Sequence, residues 1–178
     1  MPRKTSVQVK YLTVSAMLCA LSVIILGLGA VIEVLDISVA VIASLFVVYA
    51  IIEIGGAYPW LIWIVTSIIA LLLLPLKTPV LFYALLTGYY PILKQKIERR
   101  MARVPAWTTK MGVFVLSLAL IIAMAWLFAP ALLETTGGWI MVAATLALGV
   151  VAFILYDFCL TRLIAVYFAK LQKRFRIK

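Results

Sequence analysis

The groups able to move protons, ligate metals or attack a substrate are few in this chain: six acidic residues, two cysteines and no histidine in 178 residues. Histidine is the commonest general base near neutral pH and the commonest metal ligand, so its absence removes the simplest acid–base and metal chemistries together. Cys19 and Cys159 each fall inside an apolar run with no cysteine or histidine at metal-ligand spacing, and they are read as small packing residues. No metal site and no cofactor is expected. The chain has no paired-carboxylate motif, no serine or cysteine nucleophile beside a base and no Gly-x-x-x-x-Gly-Lys-Ser/Thr nucleotide loop, so no enzyme activity is expected.

What remains is a set of polar side chains suited to binding. Glu33, Asp36 and Glu134 stand with a single lysine, Lys77, in three short polar connections, a local balance of 1 − 3 = −2 that favours a neutral or cationic ligand. Solvated loop charge is the ordinary role of any one of them. Tyr83 and Thr87 are four residues apart and share a helix face, where two hydroxyls could hydrogen-bond a ligand. A tyrosine near a membrane interface also suits an aromatic belt, and a threonine inside a helix can bond its own backbone. Glu53 and Asp157 lie near basic residues and are expected to pair with them structurally, Asp157 with Arg162 or the arginines of residues 94–110. Ala16-Met-Leu-Cys-Ala20 places two small residues on one helix face, which lets another helix approach closely.

The elements that must position these residues follow from composition. At 67% hydrophobic and 12% charged residues, with a mean hydropathy of +1.22, the chain holds more apolar surface than one water-soluble core of this size could bury. Its apolar runs are continuous and long, unlike the alternating strands of about ten residues in a membrane barrel, so an all-α integral membrane protein is expected. The net charge of +10 does not point to nucleic acid. Its basic residues cluster at the borders of apolar runs, where they meet anionic lipid headgroups and fix topology.

Six transmembrane helices can be placed in a single domain over residues 1–178. They run from about Tyr11 to Ile32, Ile37 to Ile52, Pro59 to Leu74, Val80 into the basic bridge at residues 94–110, Met111 to Ala129, and Trp139 to at least Arg162. Gly55-Gly56 predicts a tight turn after the second, and Pro91 a kink in the fourth. Trp60 and Trp63 suit interface anchors. The first run is too long for a cleaved signal core. With six crossings, Lys77 is the single basic residue on the outer side. Both termini, the bridge and the basic tail at residues 168–178 are then cytoplasmic, as the positive-inside rule requires of a multi-pass protein of the plasma membrane. The same count gathers Glu33, Asp36, Lys77, Tyr83, Glu134 and Trp139 at the outer mouth.

The opening stretch Lys10-Tyr-Leu-Thr13-Val-Ser-Ala16-Met-Leu-Cys-Ala20-Leu, a basic residue and a Leu-Thr pair followed by Ala-x-x-x-Ala, resembles the first helix of the substrate-binding S components of energy-coupling factor (ECF) transporters. These are six-helix proteins of about this size with both ends in the cytoplasm. The resemblance implies a subunit that captures a vitamin or other micronutrient on its outer side. It also implies docking through Ala16 and Ala20 onto a transmembrane coupling subunit driven by separate ATPase subunits. Family sites lie near the outer ends of helices four to six, under a lid between helices one and two. On this chain those regions hold Tyr83, Thr87, Glu134, Trp139 and the Glu33–Asp36 loop. No vitamin-specific signature is matched, so the small-molecule substrate is left open.

A second class is a non-transport membrane scaffold or assembly protein that uses its basic cytoplasmic face for lipid or partner contact. It predicts no retained ligand and sensitivity to charge reversal at Arg99, Arg100 and Arg103. A small autonomous carrier is disfavoured by the lack of an internal repeat.

Overall fold

The computed structural model describes residues 2–32, 35–100, 103–128, 139–167 and 169. The secondary structure among them is helical throughout: α1 (Pro2–Val31), α2 (Asp36–Glu53), α3 (Tyr58–Leu73), α4 (Thr78–Phe82), a π-helical turn (Tyr83–Thr87), α5 (Tyr90–Arg100), α6 (Arg103–Phe128) and α7 (Trp139–Val166). Among the described residues, four stretches are long and apolar enough to cross a membrane: Val7–Gly29, Asp36–Glu53, Pro105–Ala123 and Leu146–Val166. The all-α, membrane-type architecture expected from the sequence is therefore present. Helix α3 is apolar but has 16 residues, about 24 Å of helix against a hydrocarbon layer of roughly 30 Å. The basic tail at 168–178 lies outside the described residues except for Ala169.

The chain divides into two compact units, Met1–Lys110 and Met111–Arg176, with the boundary inside α6. The first holds the larger core. Residues Val39, Ala40, Ala43, Ser44, Val47, Val48 and Ala50 of α2 are buried, so its inward face is made largely of alanine, serine and valine. Apolar lipid tails give helices no hydrophobic reason to associate, and small residues let packing contacts do that work. Leu18 and Leu26 of α1 share one buried cluster with Ala40, Ala43, Val47 and Ala50 of α2, and Gly29 sits directly against Val39. The α2–α3 turn uses Gly55 and Gly56 at φ of 69° and 63°, the left-handed region in which a Cβ is strained. Pro59 and Pro79 occupy the first turns of α3 and α4, where a missing N–H costs no helical hydrogen bond.

Helices α1 and α3 run parallel. Tyr11 touches Tyr58 edge-on at 6.0 Å between ring centroids near their N-termini, the Cys19 thiol donates to the Ile62 carbonyl at 3.8 Å, and Gly27 packs beside Leu74 at the far end.

The expected fourth helix, which is not among these four spans, departs from a single helix kinked at Pro91. It is broken at Gly88-Tyr89, upstream of the proline, and Pro91 falls in the first turn of a new helix, α5. At the second position of α5 the missing N–H of Pro91 costs no helical hydrogen bond. The bridge at 94–110 consists of the end of α5 and the start of α6. Glu98 ties them together, accepting from Lys110 Nζ at 2.6 Å with Lys94 Nζ at 3.9 Å. Lys96 lies over the Trp60 ring at 5.0 Å, a cation–π contact joining α5 to α3.

Within the second unit, Phe114 of α6 stacks on Phe153 of α7 at 4.4 Å, and Gly149 lies beside Phe114 and Leu118. Phe153, Tyr156 and Leu160 form the buried stripe of α7, with Asp157 also buried.

Candidate functional site

Two seams of the first unit carry the residues that matter. The first lies between α1 and α3, where an apolar groove of about 630 Å³ opens on the surface. Leu12, Ser15, Ala16, Cys19 and Ala20 form its α1 wall, and Leu61, Ile62, Val65 and Ile69 its α3 wall. The three- and four-residue spacing on both walls is that of a single helix face, so the groove runs along the helix pair. Ala16 and Ala20 are exposed, side by side, where larger side chains would fill it. Behind them the buried Cys19 thiol adjoins Thr66.

The second seam lies between α2 and the π-helical turn. Gly88 N donates to Tyr83 O at 2.7 Å, five residues back, in place of the usual Ala84 O. The released Ala84 carbonyl is taken by the Trp63 indole N–H at 3.2 Å. Thr87 Oγ1 donates across the seam to Ala40 O at 3.1 Å. Gly88 is required here by close approach: a Cβ would lie 2.6 Å from Trp63 Cδ1 and 2.7 Å from Tyr83 O. An extra residue in a helical turn frees a backbone carbonyl, and here the Trp63 side chain of α3 satisfies it, while Thr87 of the turn itself donates to the α2 backbone.

The candidate binding residues fall into place unevenly. Tyr83 and Thr87 share the π-helical turn and are buried, at 0% and 1% exposure. Asp36 opens α2 and is half-buried; Lys77 precedes α4, is exposed, and donates to the Leu71 and Leu74 carbonyls at 2.5 and 2.6 Å, capping the end of α3. Because Gly29, Val39 and Pro79 meet at this end of the unit, Asp36 and Lys77 both flank that junction. Trp139 is the first residue of α7, with its side chain outside the described set, and Glu33 and Glu134 lie outside the described residues altogether.

No family model, curated protein or solved structure matches this chain.

Three residues of these seams escaped the sequence reading. Ser15 belongs to the Ala16–Ala20 face, and its four-residue spacing from Cys19 was the available signal. Trp63, read as an interface anchor, also supplies the donor to the Ala84 carbonyl freed by the π-helical turn. Gly88 stood in plain view before Tyr-Tyr-Pro, a glycine inside a helical pattern that commonly marks a packing contact.

Proposed function

We propose that this chain is the membrane-embedded substrate-capture subunit of an ECF-type uptake transporter, and that the α1/α3 groove is where it docks on its coupling subunit. The observation that carries this reading is the exposure of Ala16 and Ala20 together in an apolar groove inside a membrane span. Small residues on a lipid-facing surface let a partner backbone come close, which is the main source of helix–helix affinity in a bilayer. In this reading the chain crosses the plasma membrane six times with both termini in the cytoplasm, and the bridge and tail face anionic lipid. The micronutrient is captured at the opposite mouth, by Asp36 and Lys77 with Glu33, Glu134 and Trp139. Tyr83 forms the floor, and Thr87 holds the π-helical turn in place. Energy comes from the ATPase subunits of the complex.

Native mass spectrometry of the gently solubilised protein tests this reading. The expected result is a retained small ligand together with coupling and ATPase subunits. Ala16→Phe or Ala20→Phe weakens coupling-subunit association about ten- to hundredfold while ligand is kept. Unchanged assembly in both variants refutes the docking surface, and protein without ligand or partners refutes the transport reading. A scaffold is the second reading, favoured by the exposed Lys96 and Arg99 on α5. It predicts no ligand and lipid binding that is lost on charge reversal at Arg99.

A further inference from the structure

Hydroxyls inside apolar helices normally satisfy themselves on the carbonyl one turn back. Thr13 does so on Val9 O at 2.9 Å, Ser22 on Leu18 O at 2.8 Å, Ser67 on Trp63 O at 2.8 Å and Ser117 on Val113 O at 2.7 Å. Ser15 differs. Its Oγ has no hydrogen-bond partner although the residue is only 6% exposed and lines the α1/α3 groove beside Ala16. It lies eight residues past Val7, where the apolar span begins, or about 12 Å along the helix and so within hydrocarbon. No water is at hand there to satisfy it, and an unmade hydrogen bond in that medium is costly.

We propose that a single transmembrane helix of the partner subunit occupies the groove, with small residues against Ala16 and Ala20 and a hydrogen-bonding group opposite Ser15. That group is an amide side chain or a backbone carbonyl left open by a local break in the partner helix. The proposal rests on reading the groove as the docking surface and adds the chemistry by which the partner is recognised. An acyl chain would fit the apolar walls but has nothing to offer Ser15, and it gains nothing from the low profile of Ala16 and Ala20. A helix uses both features.

The test uses the full-length chain in lipid nanodiscs and two labelled synthetic helices of about 21 leucine and alanine residues. Both carry a Gly-x-x-x-Ala stripe; one has Asn a helical turn away, and the other has Leu at that position. Association is read by energy transfer at low peptide-to-lipid ratio. The Asn helix is expected to bind at least about threefold, and at most about twentyfold, more tightly than the Leu helix. Ser15→Ala reduces the Asn helix to the affinity of the Leu helix, and Ala20→Phe excludes both. Equal binding of the two helices to the unmodified chain, or an Asn advantage that survives Ser15→Ala, overturns the proposal. So does failure of both helices to bind, which assigns the groove to acyl chains. Binding that needs Ala20 but ignores Ser15 removes the hydrogen bond and leaves the docking surface standing. Binding indifferent to Ala16 and Ala20 removes the docking surface itself.

Discussion

The two seams of the first unit solve the same problem in opposite ways. Between α2 and the π-helical turn, two groups are matched within the unit: Trp63 takes the Ala84 carbonyl and Thr87 reaches the Ala40 carbonyl, while Gly88 lies against the indole with no room for a Cβ. Between α1 and α3 the helices touch through Tyr11–Tyr58 and Cys19–Ile62, yet a groove stays open and the Ser15 hydroxyl is unmatched. In water this contrast would reflect chiefly which surface is buried. In a bilayer both sides of every helix are in apolar surroundings, so the contrast lies in packing and hydrogen bonding alone. A closed seam has nothing further to gain from a partner. An open one does.

The largest break in this comparison should come from filling the closed seam. Gly88→Ala puts a methyl group against Trp63 Cδ1 and the Tyr83 carbonyl, and it is expected to cost about 1–3 kcal/mol, read as a lowered unfolding midpoint in mild detergent. Trp63→Leu in the same background relieves part of the clash while giving up the bond to Ala84. The double variant therefore loses less than the sum of the two single losses. Strict additivity would show that Gly88 and Trp63 do not press on each other. By contrast, Ala16→Phe and Ala20→Phe project from exposed positions and should change stability by no more than about 0.5 kcal/mol, while weakening the association with the proposed coupling subunit.

A smaller effect comes from unmaking one bond of the closed seam without changing its shape. Thr87→Val keeps the branched outline and removes the donor to Ala40 O. The expected loss is about 0.6 kcal/mol and at most about 1.7 kcal/mol, the range found for hydrogen bonds between membrane helices. Ligand retention measured on the same sample sharpens the reading of Thr87. Retention that falls in step with stability marks it as a structural strut, whereas loss of ligand at unchanged stability makes it a binding group.

Much of the architecture was legible because hydropathy is a local property. Among the described residues the apolar runs became helices, the fourth in more than one piece, and Gly55-Gly56 became a turn because two consecutive left-handed residues leave few alternatives. The π-helical turn was not legible. Tyr83-Ala-Leu-Leu-Thr87 has ordinary helical composition, and its extra residue is stabilised by Trp63 and Ala40, which lie elsewhere in the sequence. Pro91 did signal an interruption, but the break lies at Gly88-Tyr89, ahead of the proline, where Gly88 packs against Trp63. At the candidate site, the spacing of Ala16 and Ala20 reported their shared face directly. Ser15 could not be singled out in the same way, since whether a serine bonds its own helix depends on its rotamer and neighbours rather than on sequence.

That dependence makes Ser15→Ala the smallest and most discriminating change. At a satisfied helical serine such as Ser22, alanine deletes a made hydrogen bond and costs about 0.5–1.5 kcal/mol. At Ser15 the substitution deletes a buried oxygen with no partner, so the isolated chain should be unchanged or stabilised by up to about 1 kcal/mol, with better helix propensity acting in the same direction. Comparing Ser15→Ala with Ser22→Ala in one unfolding series cancels the propensity term, because both residues lie within α1. A serine whose removal leaves the free subunit no less stable and yet weakens its complex is retained for the complex. If Ser15→Ala destabilises the isolated chain as much as Ser22→Ala does, its hydroxyl is already satisfied within the subunit, and the two seams differ in packing alone.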